Sequence, residues 1–320
     1  MSPCIKAGGP LNVATEPTTA LIATVPVSAR NRAAAMYATV LDYWALTKPE
    51  VNFLVLITAF VAFHLASTAD AARILAAVHM LVGTLLVASG AATLNQFLER
   101  SFDAQMRRTA RRPLAAGRLN PLKVLWFGIS LSIAGVLYLA ALNVLTAVVA
   151  ALTLLSYLFL YTPLKRKTPL CTLVGAFPGA APPLIGWAAA RGRLEPAAWV
   201  LYLIVFLWQF PHFMAIAWTY RVDYSRAGYR VLPPQASRDP FVTWQSFVCS
   251  LALVPVALIP SVTRDSGAFY AVGAALLGLF FFYFGERFAF HRSRTTARQL
   301  LVSSILYLPL LFTLLMLDQK

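Results

Sequence analysis

Asn95, Glu99 and Asp103 recur at intervals of four at the end of an apolar run, in the stretch NQFLERSFDAQMRRTARRPL. On a helix each such step turns about 40° past a full revolution, so the three side chains line one face. An amide oxygen and two carboxylates on one stripe suit a hard divalent cation. Mg²⁺ takes one or two protein carboxylates and completes its shell with water and phosphate oxygens. Arg107, Arg108, Arg111 and Arg112 follow directly. A guanidinium grips phosphate through two parallel hydrogen bonds, so these arginines are natural partners for the phosphates of a metal-bound ligand. The competing structural reading pairs Glu99 and Asp103 with Arg100 or Arg107 at a membrane surface and leaves the arginines only a topological role.

A second, weaker constellation lies about 120 residues on, in WQFPHFMAIAWTYRVDYSRAGYRVLPP. Asp223 sits at the end of an apolar run among Arg221, Arg226 and Arg230. Counting back along one continuous helix puts Thr219, Ile216, His212 and Gln209 near the same face as Asp223, with Pro211 loosening that helix. A third piece, YTPLKRKTP, brings Lys165 and Arg166 to the end of another apolar run. They read equally well as a stop-transfer cluster or as ligand contacts.

The elements that must position these groups are membrane helices. Of 320 residues 59% are hydrophobic and only 12% charged, against the roughly 25% charged residues of an ordinary soluble domain. Apolar runs of about 20 residues, enough to cross a bilayer, recur at roughly 51–67, 74–95, 121–140, 143–163, 170–190, 197–218, 242–262, 267–285 and 299–317. The expected fold is an all-α polytopic membrane protein with about nine transmembrane helices around a central cavity, formed by residues 41–320. Residues 1–40 carry no sustained apolar core and no signal-peptide pattern. They are expected to be a disordered cytoplasmic tail, ending in a surface helix around 33–45.

The net charge of +15 is a topology signal and not a nucleic-acid footprint. Of the 27 basic residues, only Arg73, Arg191, Arg193, Arg264 and Lys320 fall outside the tail and alternate loops. That asymmetry places the N-terminus and the acid-bearing helix ends in the cytoplasm. Cys4, Cys171 and Cys249 share no metal-ligand spacing and form no disulfide framework.

The motif N-x₃-E-x₃-D followed by RRTARRPLAAG resembles the first signature of the membrane-embedded polyprenyltransferase superfamily, and within it the protoheme IX farnesyltransferase branch. LTKPE (46–50), YTPLKRKTP, GAAPPLIGW (179–187), WQFPHFMAIA and DYSRAGYRVLP extend the resemblance over residues 41–235. The superfamily's first motif more often reads N-D-x-x-D-x-x-x-D; Gln96 and Glu99 stand at its second and third positions here. Only Asp223 remains of the second motif's acids. Glu50 and Cys171 stand where the branch usually has a basic residue and asparagine.

The resemblance implies a Mg²⁺-dependent enzyme of the bacterial inner membrane. It would transfer farnesyl from farnesyl diphosphate to a vinyl group of heme B to make heme O for terminal oxidases, with room for a heme-modifying or oxidase-assembly protein partner. It assigns Asn95, Glu99 and Asp103 to one metal, Asp223 to a second, and Arg108, Arg112, Lys165 and Arg166 to the diphosphate. Gln209 and His212 fall on the acceptor side, His212 about 16 Å deeper than Asp223 at 1.5 Å per residue. Two other readings stand beside it. One is a prenyltransferase acting on a quinone precursor or chlorophyllide, against which WQFPHF with His212 speaks. The other is a transporter, which would carry its acids near the midplane rather than at helix ends.

Overall fold

The computed structural model describes residues 27–67, 72–233, 240–263 and 265–319. Most of the expected N-terminal tail lies outside them. Among the described residues thirteen α-helices follow in order: α1 (Val27–Leu46), α2 (Pro49–Ala66), α3 (Ala72–Asp103), α4 (Pro121–Ala140), α5 (Val144–Leu155), α6 (Thr162–Leu164), α7 (Cys171–Gly179), α8 (Pro182–Arg191), α9 (Pro196–Thr219), α10 (Arg221–Arg226), α11 (Pro240–Val262), α12 (Ala268–Phe290) and α13 (Arg294–Leu317). Helix α1 covers the surface-helix segment and begins six residues earlier than the sequence suggested.

Among the described residues nine helical stretches are long and apolar enough to span a bilayer. Two of them are composite. A π-helical turn, Ser156–Tyr161, joins α5 to α6 within the stretch Val144–Leu164. The stretch Cys171–Arg191 is α7 and α8, interrupted where Pro182 and Pro183 follow the Ala180–Ala181 break. Proline lacks the N–H that would continue the ladder, so the chain restarts with Pro182 at the first turn, where no partner is needed.

In lipid the apolar surface gives helices no reason to associate, so packing and interhelical hydrogen bonds hold the bundle. Helix α3 packs most extensively on α4, α11 on α12, and α2 on α8. Small residues permit this. A Cβ at Gly186 would collide with the Ala59 carbonyl oxygen of α2, and one at Gly135 would lie 2.7 Å from the Val87 amide of α3. Polar side chains tie the interior: Asn52 donates to Ser89 at 3.0 Å, Asn143 to the Ala188 carbonyl at 3.0 Å, and Tyr270 to the Ala257 carbonyl at 2.7 Å. Leu137 and Leu276, both 65% exposed, show the outer surface: apolar, as a lipid-facing surface must be.

Candidate active site

The last two turns of α3 carry Asn95, Glu99 and Asp103 on one face, all buried. Asn95 donates its amide N–H to Thr162 Oγ1 at 3.2 Å, which fixes the amide so that Oδ1 is turned to accept from Lys48 Nζ. Thr162 donates in turn to the Tyr157 carbonyl at 2.9 Å, a group that the π-helical turn displaces from ordinary α pairing. Such turns insert a residue and re-aim side chains. Here Tyr157, Tyr161 and Lys165 all reach the cavity that faces α3.

Lys165 Nζ lies 2.9 Å from Glu99 Oε1, and Arg112 Nη1 lies 2.7 Å from Asp103 Oδ2. Arg112 is carried there by a chain of turns after α3: Ala110 N–H to Met106 O, Arg112 N–H to Thr109 O, and Ala116 N–H to Arg112 O. Asp103 Oδ1 is buried and has no hydrogen-bond partner. A buried carboxylate oxygen without a partner is costly, and Asp103 lines the cavity beside Asn95 and Glu99. Among the described residues no three His, Cys, Asp or Glu side chains converge. A divalent cation held by this stripe would therefore draw further oxygens from its ligand, as Mg²⁺ does.

The cavity, of about 150 Å³, is lined by these groups together with Lys48, Arg108, Tyr157, Tyr161, Tyr224 and Tyr229. Its charged lining is four cations (Lys48, Arg108, Arg112, Lys165) against two carboxylates, an excess that favours a polyanion. Arg108 lies over the Tyr220 ring at 4.3 Å and donates to Tyr224 Oη at 3.2 Å. Lys165 sits 4.5 Å above Tyr161. Burial would push the Lys165 ammonium down, but Tyr161, Glu99 and Tyr157 and the bond to Glu99 hold it well above the ordinary lysine value. Burial and the neighbouring Glu99 charge raise the Tyr229 phenol.

Lys48 is a contributor that sequence reasoning passed over. Its Nζ lies 3.4 Å from Asn95 Oδ1. It is the one non-glycine with positive φ among the described residues, at φ 51°, ψ 62°. A left-handed L-residue costs roughly 1–2 kcal/mol, and strain of this kind collects at functional sites. The Lys48 carbonyl accepts from Val51 and Asn52 N–H, each at 3.1 Å, as the start of α2. Burial, reinforced by the Arg112 and Lys165 charges, lowers its pKa to about 7 against the opposing pull of Glu99 and Asp103. The available signal was a lone cation directly before the proline that opens a membrane span. The tyrosines had no comparable signal, because the turn that exposes two of them is a π turn.

Four expected site residues lie outside this cavity, and two of them, Gln209 and His212, were expected deeper, on the acceptor side. The chain does not run helically through to Asp223: α9 ends at Thr219, Tyr220 (φ −105°, ψ 20°) breaks it, and α10 begins at Arg221. Asp223 is thus outside the cavity lining and lies 3.9 Å from Arg226. Arg166 stacks on Phe102 at 4.2 Å and also stays outside. Gln209 donates to the Ala176 and Val205 carbonyls and fills the space beside Gly179, joining α9 to α7. His212 Nδ1 is 2.7 Å from Ser304 Oγ of α13, and its ring stacks on Trp208 at 4.7 Å.

The sequence pattern of the UbiA prenyltransferase family matches residues 55–312. The chain belongs to that family. A protoheme IX farnesyltransferase of Solibacter usitatus (strain Ellin6076) is 47% identical over 290 residues, covering 87% of this chain and 98% of the relative. Among solved structures, a digeranylgeranylglyceryl phosphate synthase superimposes with a TM-score of 0.73 at 14% identity, over 87% of this chain and 98% of the other. A UbiA homolog from Archaeoglobus fulgidus bound to GPP and Mg²⁺ gives 0.61 at 15% identity, over 86% and 99%. At such identities the structures speak for the UbiA fold alone, and the nine-span bundle described above is that fold.

Proposed function

We propose that this UbiA-family chain transfers the farnesyl group of farnesyl diphosphate to a vinyl group of heme B, with addition of water, giving heme O for terminal oxidase assembly. The observation that carries the reading is the buried stripe of Asn95, Glu99 and Asp103, with Asp103 Oδ1 unpartnered, facing four cations in one small cavity. The acceptor follows from relatives named protoheme IX farnesyltransferase, of which one is 47% identical over nearly its whole length. Presenting the chain with heme B, a quinone precursor and chlorophyllide together tests it. Farnesyl label is expected on heme; label on either other acceptor overturns the assignment.

Asn95 Oδ1, Glu99 and Asp103 Oδ1 would hold Mg²⁺, which when bound would offset the diphosphate's charge and help it leave with the electron pair of the allylic C–O bond. Lys165 and Arg112, each paired with a carboxylate here, exchange that partner for phosphate oxygens, joined by Arg108 and Lys48. The C–O bond breaks, the vinyl π electrons form the new C–C bond, and water captures the resulting cation and loses a proton. The aromatic lining of Tyr157, Tyr161, Tyr224 and Tyr229 excludes bulk water while the allylic cation exists.

A phosphate beside Lys48 favours its charged form, so binding takes up a proton wherever the unliganded amine is neutral. Burial holds the unliganded amine's pKa far below the ordinary lysine value, so this linkage is expected to weaken diphosphate affinity as the pH rises through that lowered pKa. The limiting slope is about tenfold per pH unit for one linked proton. Lys48→Arg stays charged throughout, so in binding titrations its pH slope should be shallower than wild type by that one proton. Equal slopes would remove Lys48 from the phosphate contacts.

His212 is assigned to the acceptor. Ser304 Oγ donates to the Leu301 carbonyl at 2.6 Å and so accepts from His212 Nδ1–H, which leaves Nε2 with a lone pair that would be available to the acceptor. His212→Ala should weaken heme binding and leave farnesyl diphosphate affinity unchanged; unaltered heme affinity would make it an interhelical tie only.

The site-bearing end is placed on the cytoplasmic side of a bacterial inner membrane, from the distribution of basic residues. With the native cysteines replaced, Cys at exposed Ala116 should react with an impermeant thiol reagent from the cytoplasmic side only. Labelling from the opposite side would invert both the topology and the site.

A further inference from the structure

Next to the diphosphate cavity lies a larger one, of about 1000 Å³, whose lining includes Lys167, Arg221, Arg226 and Arg230. Among the described residues no acidic side chain lines it. Its remaining polar and aromatic walls include Trp218, Tyr224 and Tyr229. Tyr224 and Tyr229 line the diphosphate cavity as well. Their rings meet edge to face at 5.9 Å and 90°, so one pair of side chains forms the partition between the two spaces.

The segments that supply Lys167 and Arg230 are joined. Arg230 N–H donates to the Lys165 carbonyl at 2.8 Å, tying the segment after α10 to the segment after α6. Lys167 and Arg230 line the larger cavity, while Lys165, joined to Arg230 through this bond, lines the smaller one. Arg221 is held over the Trp218 ring at 4.9 Å and donates to the Trp218 carbonyl at 3.0 Å. The combination is a slot with flat aromatic walls and a cationic rim, next to a chamber too small for anything beyond a diphosphate head and its cation.

We propose that this basic slot is the subsite for the two carboxylates of the porphyrin acceptor, with Lys167 and Arg230 as their principal partners. The assignment rests on the reading that heme is the acceptor. A porphyrin of this class is a flat apolar ring with two carboxylates on one edge and its vinyl groups away from that edge. With the carboxylates among the slot's cations, the rest of the ring extends toward the Tyr224–Tyr229 partition and the allylic carbon behind it. Specificity for a dicarboxylate porphyrin then comes from charge at the slot, and reactivity comes from the neighbouring site. An anionic lipid headgroup would satisfy the cations equally well, but it would have no use for the shared tyrosine wall.

The test uses the full chain in nanodiscs, with heme B and its dimethyl ester as probes, and Lys167→Gln and Arg230→Gln singly and together. Both positions are exposed, so the substitutions leave the packing alone. Wild type should prefer the diacid over the diester. Each variant should raise the heme KM about tenfold, the scale of one charge-assisted hydrogen bond lost, with the KM for farnesyl diphosphate unchanged. The double variant should treat diacid and diester alike. Unchanged diacid preference in the double variant overturns the assignment. So does an effect that appears only in discs containing phosphatidylglycerol and vanishes in neutral lipid, which would give the cations to the membrane. Binding is read separately from the Soret band. Selective binding of the diacid, lost in the variants but without any farnesyl transfer, would remove the acceptor reading and leave the subsite. Transfer to diacid and diester alike would do the reverse. Binding of neither would remove both.

Discussion

Asp103→Asn is expected to abolish farnesyl transfer while leaving the bundle folded. The substitution hardly changes volume, and the side chain is buried at the end of α3, where its backbone carbonyl still accepts from Thr109 Oγ1 at 2.8 Å. What changes is charge. The unpartnered Oδ1 becomes part of a neutral amide, and Arg112 loses the carboxylate it grips at 2.7 Å. Removing one preorganised electrostatic contact at a leaving group costs about 10²–10³ in rate; here a cation ligand and the geometry of a phosphate-binding arginine go together, so the upper end is expected. Turnover of labelled farnesyl diphosphate measures the loss, and the retained thermal transition of the purified protein measures the fold. Activity within tenfold of wild type would show that this acidic face is structural.

Gly186→Ala is expected to fail at the opposite level, in assembly. Helix α8 crosses α2 so closely that a Cβ at Gly186 would collide with the Ala59 carbonyl oxygen and lie 3.1 Å from the Phe63 amide nitrogen. Both are helix backbone and cannot swing aside as a side chain would. Relief requires α8 to back away from α2, which breaks the packing around Ala59, Phe63 and Ile185, all buried. Overpacking of a dense interior costs typically 1–3 kcal/mol and more where backbone must move. The expected result is a marked loss of folded protein in membranes and a lowered Tm, readable by size-exclusion profile and thermal melt. Gly192→Ala, with nothing within 4 Å but a left-handed φ of 67°, is the milder control. A wild-type melt for Gly186→Ala would show that α2 and α8 are not clamped there.

The spans and the acid stripe were legible because they rest on local rules. Runs of about 20 apolar residues declare membrane helices, and i, i+4, i+8 spacing declares one face; Asn95, Glu99 and Asp103 needed nothing else. Arg112 and Lys165 were legible as cations near the acid stripe, although their pairing with Asp103 and Glu99 was not, because it depends on the loop after α3 and on the π turn before α6. Asp223 shows the limit most clearly. Its alignment with Gln209 and His212 assumed one helix through to the acid, and that helix breaks at Tyr220. Lys48 was passed over for the converse reason: a left-handed residue before proline is against local preference, so no propensity argument anticipates the direction in which its side chain points.

The central claim is that this chain joins a farnesyl group to heme, with the diphosphate held in the cavity at the end of α3. The most direct measurement incubates the purified full chain with heme B, farnesyl diphosphate and Mg²⁺ and follows the pigment by chromatography and mass spectrometry. The account predicts a heme product heavier by one farnesyl group and one water, formed with equimolar diphosphate release and absent with Asp103→Asn. Heme recovered unchanged while farnesyl diphosphate is consumed onto another acceptor would contradict it.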